Sequence, residues 1–258
     1  MHAHILPDID DGARTLEESL AMARELVAQG VRTVVAAPHF MPGVYTPAPE
    51  EICKGAADLQ AVLEDEGLPL RLVPGSECYL DPELSARLRR GELQTINGTG
   101  RCLLVELPMG DYPVFADDVL FELLLSGVTP ILAHPERNAV LAARPEKAYD
   151  LVRRGVLLQV NAGSLAGLFG TAARSAARLF VRHAWAHFLG SDAHRPGERI
   201  AAVSVALNEI NSLIGRAGAC ALAGDRPQAV LEGTECVLPD PVPPAPKPRF
   251  SFRRFFGR

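Results

Sequence analysis

The sequence is poor in the features that mark secreted, membrane-embedded or nucleic-acid-binding proteins. Its five cysteines, Cys53, Cys78, Cys102, Cys220 and Cys236, are odd in number, scattered and never spaced C-x-x-C, which argues against a disulfide framework and for reduced thiols in the cytoplasm. No apolar run approaches the roughly 18 residues that a bilayer crossing needs. Asp8, Asp10 and Asp11 stand where a secretory leader would be apolar. Basic excess is missing too, and a net charge of -5 leaves no general attraction for nucleic acid. What is present, 48% hydrophobic and 22% charged residues, is ordinary globular composition. A chain of 258 residues can fill one large core, and a single α/β barrel is of that size.

Short β-branched and apolar runs alternate with longer helical patterns, which predicts repeated βα units and a parallel sheet. The predicted strands are 32–37, 70–74, 102–107, 129–133, 157–160 and 186–189. Between them, Thr15 can cap a helix with Glu17 and Glu18 in its first turn, Leu20, Ala23, Leu26 and Val27 on one face, and Gly30 at its end. Segments 49–67, 114–127, 145–155, 164–183 and 199–217 read as further helices. The composition changes after Leu238, where six of the ten residues 239–248 are proline, the mark of an extended linker. Four phenylalanines and four arginines crowd 248–258. The expected organisation is a folded domain over 1–238 and a tail over 239–258. That tail is either a solvated terminus or a peripheral contact for an anionic surface or partner.

Polar residues gather where the predicted strands end. His39 follows the run 32–37, Glu77 follows 70–74, Glu106 lies at the end of 102–107, His134 follows 129–133, and Asp192 and His194 follow 186–189. Strand C-termini of a parallel barrel share one rim, so residues far apart in sequence can converge there. His2-Ala3-His4 opens the chain, and in an extended segment both imidazoles point to one side, where they can hold one ion. Pro7-Asp8-Ile9-Asp10-Asp11-Gly12 places carboxylates in a turn beside them. A lone His39 or His134 would read as a structural histidine with a satisfied hydrogen bond. Glu77 and Glu106 could pair with Arg137, but carboxylates after apolar runs are costly to bury without a cation. Joint placement of all these groups favours a metal centre. His183 and His187 fall outside the pattern and read as structural.

These segments resemble the polymerase and histidinol phosphatase (PHP) superfamily, and within it the manganese-dependent tyrosine-protein phosphatases of bacterial capsule and exopolysaccharide operons. The resemblance is carried by His2-Ala3-His4-Ile5-Leu6-Pro7 with Asp10-Asp11-Gly12, Pro38-His39, Gly75-Ser76-Glu77, Val105-Glu106, His134-Pro135-Glu136-Arg137, Val160-Asn161-Ala162-Gly163-Ser164 and Gly190-Ser191-Asp192-Ala193-His194. It implies a distorted (β/α)7 barrel and three divalent metal ions. One ion would be held by His2, His4, Glu77 and Asp192, a second by Glu77, Glu106 and His134, and a third by Asp11, His39 and His194. Manganese is the ion the resemblance implies, while the ligand types suit Fe²⁺ or Zn²⁺ as well. Arg137 and Arg199 match the phosphate-contacting arginines, whose fork suits phosphate oxygens. The implied substrate is phosphotyrosine on a protein, in this context a bacterial tyrosine kinase that regulates polysaccharide synthesis. Two departures stand out. The family places a few residues ahead of the H-x-H pair, whereas His2 here follows Met1, so the first strand is expected to be truncated or preceded by residues upstream. Phe40 stands where histidine or tyrosine is common, and would wall an aromatic pocket.

Clustered divalent ions both activate water and neutralise phosphoryl charge, so phosphoester hydrolysis needs no covalent intermediate here. Tyrosinate, with a pKa of about 10, leaves with little help from an acid. Cys220 and Arg226 meet the C-x₅-R spacing of cysteine-based phosphatases, but lack a glycine-rich cradle and enclose Asp225; the segment reads instead as a helix ending at Gly224. Two alternatives remain at this level: a small-molecule phosphatase, such as one acting on histidinol phosphate, and a catalytically silent PHP scaffold for a kinase or export complex.

Overall fold

Nine strands in the computed structural model, which describes residues 2–244, run parallel and alternate with helices. They are β1 (His2–Ala3), β2 (Thr33–Ala36), β3 (His39–Phe40), β4 (Arg71–Pro74), β5 (Glu77–Tyr79), β6 (Cys102–Glu106), β7 (Thr129–Ala133), β8 (Leu157–Asn161) and β9 (Ala186–Gly190). The Arg/Phe segment from 248 onward lies outside the described residues. All six predicted strands are present. Two of them continue past a bend into a second short strand, β2 into β3 and β4 into β5. The bends divide the ladder into a three-stranded sheet, β1-β2-β4, and a six-stranded sheet, β3-β5-β6-β7-β8-β9. At one of them a Cβ on Gly75 would lie 2.7 Å from Val35 Cγ1, so the close approach of β2 and β4 requires glycine there. Past β9, the Asp192 N–H donates to the His2 carbonyl (3.0 Å) and the His4 N–H to that of Ala193 (2.8 Å). The end of the ladder thus meets its first strand.

Both faces of the strands are buried, as parallel sheets require. Along β6, Leu103 and Val105 join the helices in the larger apolar cluster, while Cys102 and Leu104 face a second cluster with Val35, Ile131, Phe188 and Leu231. A third cluster packs the helix Leu16–Ala28, and Ile52, Leu59 and Leu63 of Pro49–Asp65, against β1, β2 and β4. Thr15 caps the first of these helices by accepting from the Glu18 N–H, as its sequence predicts. The predicted helix 164–183 is in fact two, Ala162–Ala166 and Gly170–Arg182, because Gly167 adopts a left-handed φ of 92° between them. The predicted stop at Gly224 is also corrected: helical structure continues from Glu198–Cys220 through 221–225 into Arg226–Glu232, and the left-handed residue that ends it is Gly233. Beyond it, Val242 donates its N–H to the His183 carbonyl (2.9 Å) and accepts from Trp185 Nε1 (2.8 Å), which pins the start of the proline-rich segment beside β9.

His187 is structural, as its position in a strand predicts. Its Nδ1 accepts from the Leu158 N–H (3.0 Å), and burial, reinforced by Arg226, holds its pKa down at about 3. The unfolded chain takes up this proton near pH 6.5 and the folded chain only near pH 3, so between those values acid favours unfolding. Asparagine offers an acceptor at the same place without titrating. The unfolding free energy of His187→Asn, measured by urea denaturation in chelator at pH 7, 6 and 5, should therefore gain on wild type by about 1.4 kcal/mol per unit below pH 6. A constant difference across that range would show that His187 does not contribute to acid sensitivity.

Candidate active site

The strand ends bring the predicted ligands to one rim. Register alone places them in order: His39 lies opposite Glu77, Tyr79 opposite Glu106, and Glu106 opposite Ala133, the residue before His134. At the ends of β7 and β9 the backbone turns sharply, with left-handed φ values of 34° at His134 and 50° at Asp192. Neither residue is glycine, and such conformations cost roughly 1–3 kcal/mol each. They persist where surrounding contacts fix them, and both side chains here are almost fully buried among the other candidate ligands.

Glu77, with no exposed surface, is the centre of the arrangement. Its Oε1 lies 3.6 Å from His2 Nε2 and 3.2 Å from His134 Nε2, and its Oε2 lies 3.2 Å from His4 Nε2 and 3.3 Å from His39 Nδ1. Asp192 Oδ1 is 3.2 Å from His2 Nε2 and 3.6 Å from His4 Nε2, while Glu106 Oε1 is 3.6 Å from His134 Nε2. Toward solvent, half-exposed Asp11 places Oδ1 3.6 Å from His39 Nε2 and 3.5 Å from His194 Nε2. Three overlapping groups have ligand atoms within 4.8 Å of one another: His2, His4, Glu77 and Asp192; His39, Glu77 and Glu106; and His4, Asp11, His39 and His194. All nine predicted metal-ligating residues are thus neighbours. Three pairings differ from the expected partition: His4 also reaches the outer group, His39 stands in the Glu106 group, and His134 falls in none of the three, although its Nε2 lies beside Glu77 and Glu106.

The donor set fits divalent cations. Both Glu77 oxygens, His4 Nε2 and His39 Nδ1 are buried without a hydrogen-bond partner among the described residues, a combination that is costly in a core unless a cation satisfies it. Without one, the groups can only share protons. Burial opposes ionisation of Glu77, yet His2, His134 and His4 hold its carboxyl well below the usual range. Burial, and then the charge of Glu77, push Glu106 up to about 7. Burial disfavours a charge on His134 as well, but Glu77 and the other carboxylates raise it to about 9.

Beside the cluster, Arg137 and Arg199 each place Nη1 on Asp192 Oδ2, at 3.0 and 3.1 Å. Both guanidiniums keep part of their surface in solvent, where an anion can reach them. Among the described residues Glu77 and Glu106 take no arginine partner, and Arg137 pairs with Asp192 instead.

The Capsular polysaccharide synthesis, CpsB/CapC description matches residues 1–232. The chain belongs to the CpsB/CapC family. Among its relatives, the tyrosine-protein phosphatase YwqE of Bacillus subtilis is 34% identical over 261 residues, covering 100% of this chain and 98% of YwqE. The tyrosine-protein phosphatase CpsB of Streptococcus pneumoniae is 28% identical over 236 residues, with 90% and 97% covered. A crystal structure from work on YwqE and CpsB, described there as unique metal-dependent tyrosine phosphatases, superposes with a TM-score of 0.89 at 33% identity, over 95% of this chain and 98% of that one. Histidinol phosphate phosphatase of Lactococcus lactis, at 14% identity and a TM-score of 0.55, shares the fold.

In this CpsB/CapC member several supporting residues carry no obvious sequence signal for their roles. Phe169 lies under both arginines, with Cζ of Arg137 4.1 Å and Cζ of Arg199 5.4 Å from its ring centroid. A Cβ on Gly163 would meet Phe169 at 2.8 Å, which explains the glycine of the Asn-Ala-Gly-Ser segment. Asn161 Nδ2 donates to Asp192 Oδ2 (2.8 Å). Buried Glu136 accepts from the Asn161 N–H (2.9 Å) and Ser164 Oγ (2.6 Å), tying the His-Pro-Glu-Arg turn to the end of β8. The expectation for Phe40 is corrected: it is 4% exposed and packs in the apolar core with Cys78 and Leu103, on the opposite side of the strand from His39. All five cysteines are free, and among the described residues no helix is long and apolar enough to cross a membrane. Cys220 sits exposed on a helix, and Arg226 Nη1 approaches the His187 carbonyl at 3.5 Å, so the C-x₅-R pair frames no phosphate cradle. Cys220→Ser should accordingly leave aryl phosphate turnover within about two-fold of wild type, the range of a neutral surface change. Loss of activity in a folded Cys220→Ser protein would reinstate the cysteine mechanism.

Proposed function

We propose that the chain is a metal-dependent protein-tyrosine phosphatase acting on a bacterial tyrosine kinase of capsular or exopolysaccharide synthesis, in the cytoplasm. The observation that carries this reading is the central carboxylate of Glu77, whose two oxygens face two sets of imidazole nitrogens and have no other partner among the described residues. Such a carboxylate would hold divalent cations together with the imidazoles that face it. The ligand sets read from the sequence assign three divalent ions, Mn²⁺ first among them, to a distorted (β/α)7 barrel spanning 1–238, with 239–258 as a separate tail. The names of the relatives supply the phosphotyrosine substrate, and their extent matches this chain almost end to end.

Divalent ions in such a cluster supply Lewis acidity, which makes water a nucleophile near neutral pH and offsets charge on the phosphoryl oxygens. The chain's own residues do the positioning. Arg137 and Arg199 grip the non-bridging oxygens and hold the phosphoryl group in line, stiffened from below by Phe169. Their charge is shared with Asp192 until the substrate arrives. No side chain need donate a proton to a tyrosinate leaving group, whose pKa is about 10.

The test begins with chelator-stripped protein. Activity should be absent, return on addition of Mn²⁺, and favour a phosphotyrosine peptide over phosphoserine peptide and histidinol phosphate. Preference for histidinol phosphate would move the substrate to the small-molecule class. Full activity in the stripped protein, verified by elemental analysis, would sink the metal-dependent reading altogether.

A further inference from the structure

Asp10 stands next to a predicted metal ligand and has a different surrounding. Asp11 is half exposed and faces two imidazole Nε2 atoms at the mouth, whereas the Asp10 side chain has no exposed surface and points inward. One of its oxygens, Oδ2, lies 2.6 Å from His4 Nδ1 and also accepts the backbone N–H of His39 at 2.9 Å. The other, Oδ1, accepts the Gly12 N–H at 2.9 Å. The turn is pressed against the histidine it serves: a Cβ on Gly12 would lie 2.2 Å from the His4 carbonyl oxygen and 2.5 Å from its Cβ.

We propose that Asp10 is a positioning residue that fixes the tautomer of His4 and binds the His39 segment to it, so that both imidazoles aim at the same cations. The inference rests on the reading of His4 and His39 as metal ligands. An ionised carboxylate only accepts, so the Nδ1 of His4 must donate to it. In the neutral ring that leaves Nε2 without a proton. Nε2 is the atom facing Glu77 Oε2 at 3.2 Å and Asp192 Oδ1 at 3.6 Å, buried and without a hydrogen-bond partner. A carboxylate behind a metal-binding imidazole raises ligand basicity and fixes ring orientation. By holding the His39 backbone with the same oxygen, Asp10 also keeps the two rings in fixed relation, their centroids 4.5 Å apart.

His2 provides a contrast. Gln159 Nε2 lies 2.6 Å from its Nδ1, and an amide has one donor and one acceptor end, so it can serve either tautomer by turning over. Asp10 has no such freedom, and an asparagine in its place cannot replace it. Its single oxygen could accept on the His4 side or on the Gly12 side, and its NH₂ would then oppose an N–H at the other.

The experiment compares full-length wild type, Asp10→Asn and His4→Ala, stripped of metal and titrated with Mn²⁺ by calorimetry. Asp10→Asn should bind 10- to 100-fold more weakly, the usual effect of losing such a partner, and show a smaller Mn²⁺-induced rise in Tm, with the circular dichroism of the stripped protein unchanged. Equal affinity in Asp10→Asn, alongside loss in His4→Ala, would overturn the role of Asp10 alone. Wild-type affinity in His4→Ala would overturn the assignment of His4 on which it rests. Should Asp10→Asn not fold, the wild type decides: in ¹⁵N-labelled, Zn²⁺-loaded protein, the His4 Nδ1 should resonate as a protonated nitrogen coupled to its own hydrogen. An unprotonated Nδ1 there would refute the proposal.

Discussion

Replacing His134 by alanine is expected to lower turnover of a small aryl phosphate by on the order of 10³-fold, equivalent to about 4 kcal/mol in the barrier, without unfolding the protein. The effect follows from what surrounds its Nε2. That atom lies 3.2 Å from Glu77 Oε1 and 3.6 Å from Glu106 Oε1, so its loss removes one of the two imidazoles between these carboxylates and leaves only His39 Nδ1, 3.3 Å from Glu77 Oε2 and 3.7 Å from Glu106 Oε2. Burial and Glu77 already push Glu106 up to about 7, and without the imidazole the pair would hold a proton rather than a cation. Asp192→Ala should act as strongly for a different reason. It removes the oxygen facing His2 and His4 and, with the other oxygen, the shared contact of Arg137, Arg199 and Asn161. Both variants should be assayed after loading with excess Mn²⁺, with metal content measured on the same samples. Unchanged rates in either, on folded and loaded protein, would contradict the assignment of the cluster as the reacting centre.

Arg137→Ala and Arg199→Ala should each reduce kcat/KM by about 10²- to 10³-fold, the range for removal of one preorganised charge-stabilising donor. Metal content should stay near wild type, which separates this loss from that of the ligand variants. Lysine is not expected to rescue Arg137. Its ammonium cannot present two parallel N–H groups to a phosphate, and it loses the flat stacking on Phe169 at 4.1 Å. Inhibition by inorganic phosphate should weaken in parallel, because ground-state phosphate meets the same guanidiniums. If instead the arginine variants lose metal to the same degree as Asp192→Ala, these side chains serve the carboxylate rather than the substrate.

The strands and most helices were legible because their signals are local. Alternating apolar positions, Thr15 before Glu17 and Glu18, and the proline at position 49 need no knowledge of the rest of the chain. The convergence of the predicted ligand positions was legible for a related reason: parallel strands force their ends together, so a histidine or carboxylate after each apolar run has one common destination. What escaped depends on contacts across the fold. The two- and three-residue strands β3 and β5 are too short to show a period, and exist because Ala37-Pro38 and Gly75-Ser76 bend the chain into a second sheet. Phe169, in the break between two short helices, owes its place to arginines 32 and 30 residues along the chain in opposite directions. Phe40 was misread because its neighbour His39 drew it toward the site, whereas successive strand residues face opposite ways. At Gly224 a local stop signal was overridden by packing of Leu222, Val230 and Leu231 into the core.

Glu77 leaves one further mark on the molecule. Its two oxygens belong to one rigid planar group on β5, whereas the four imidazoles that face them come from β1 and its continuation, β3 and the turn after β7. A displacement of β5 would therefore change all four distances at once, which makes this single side chain the point at which strand motion is felt by the whole cluster.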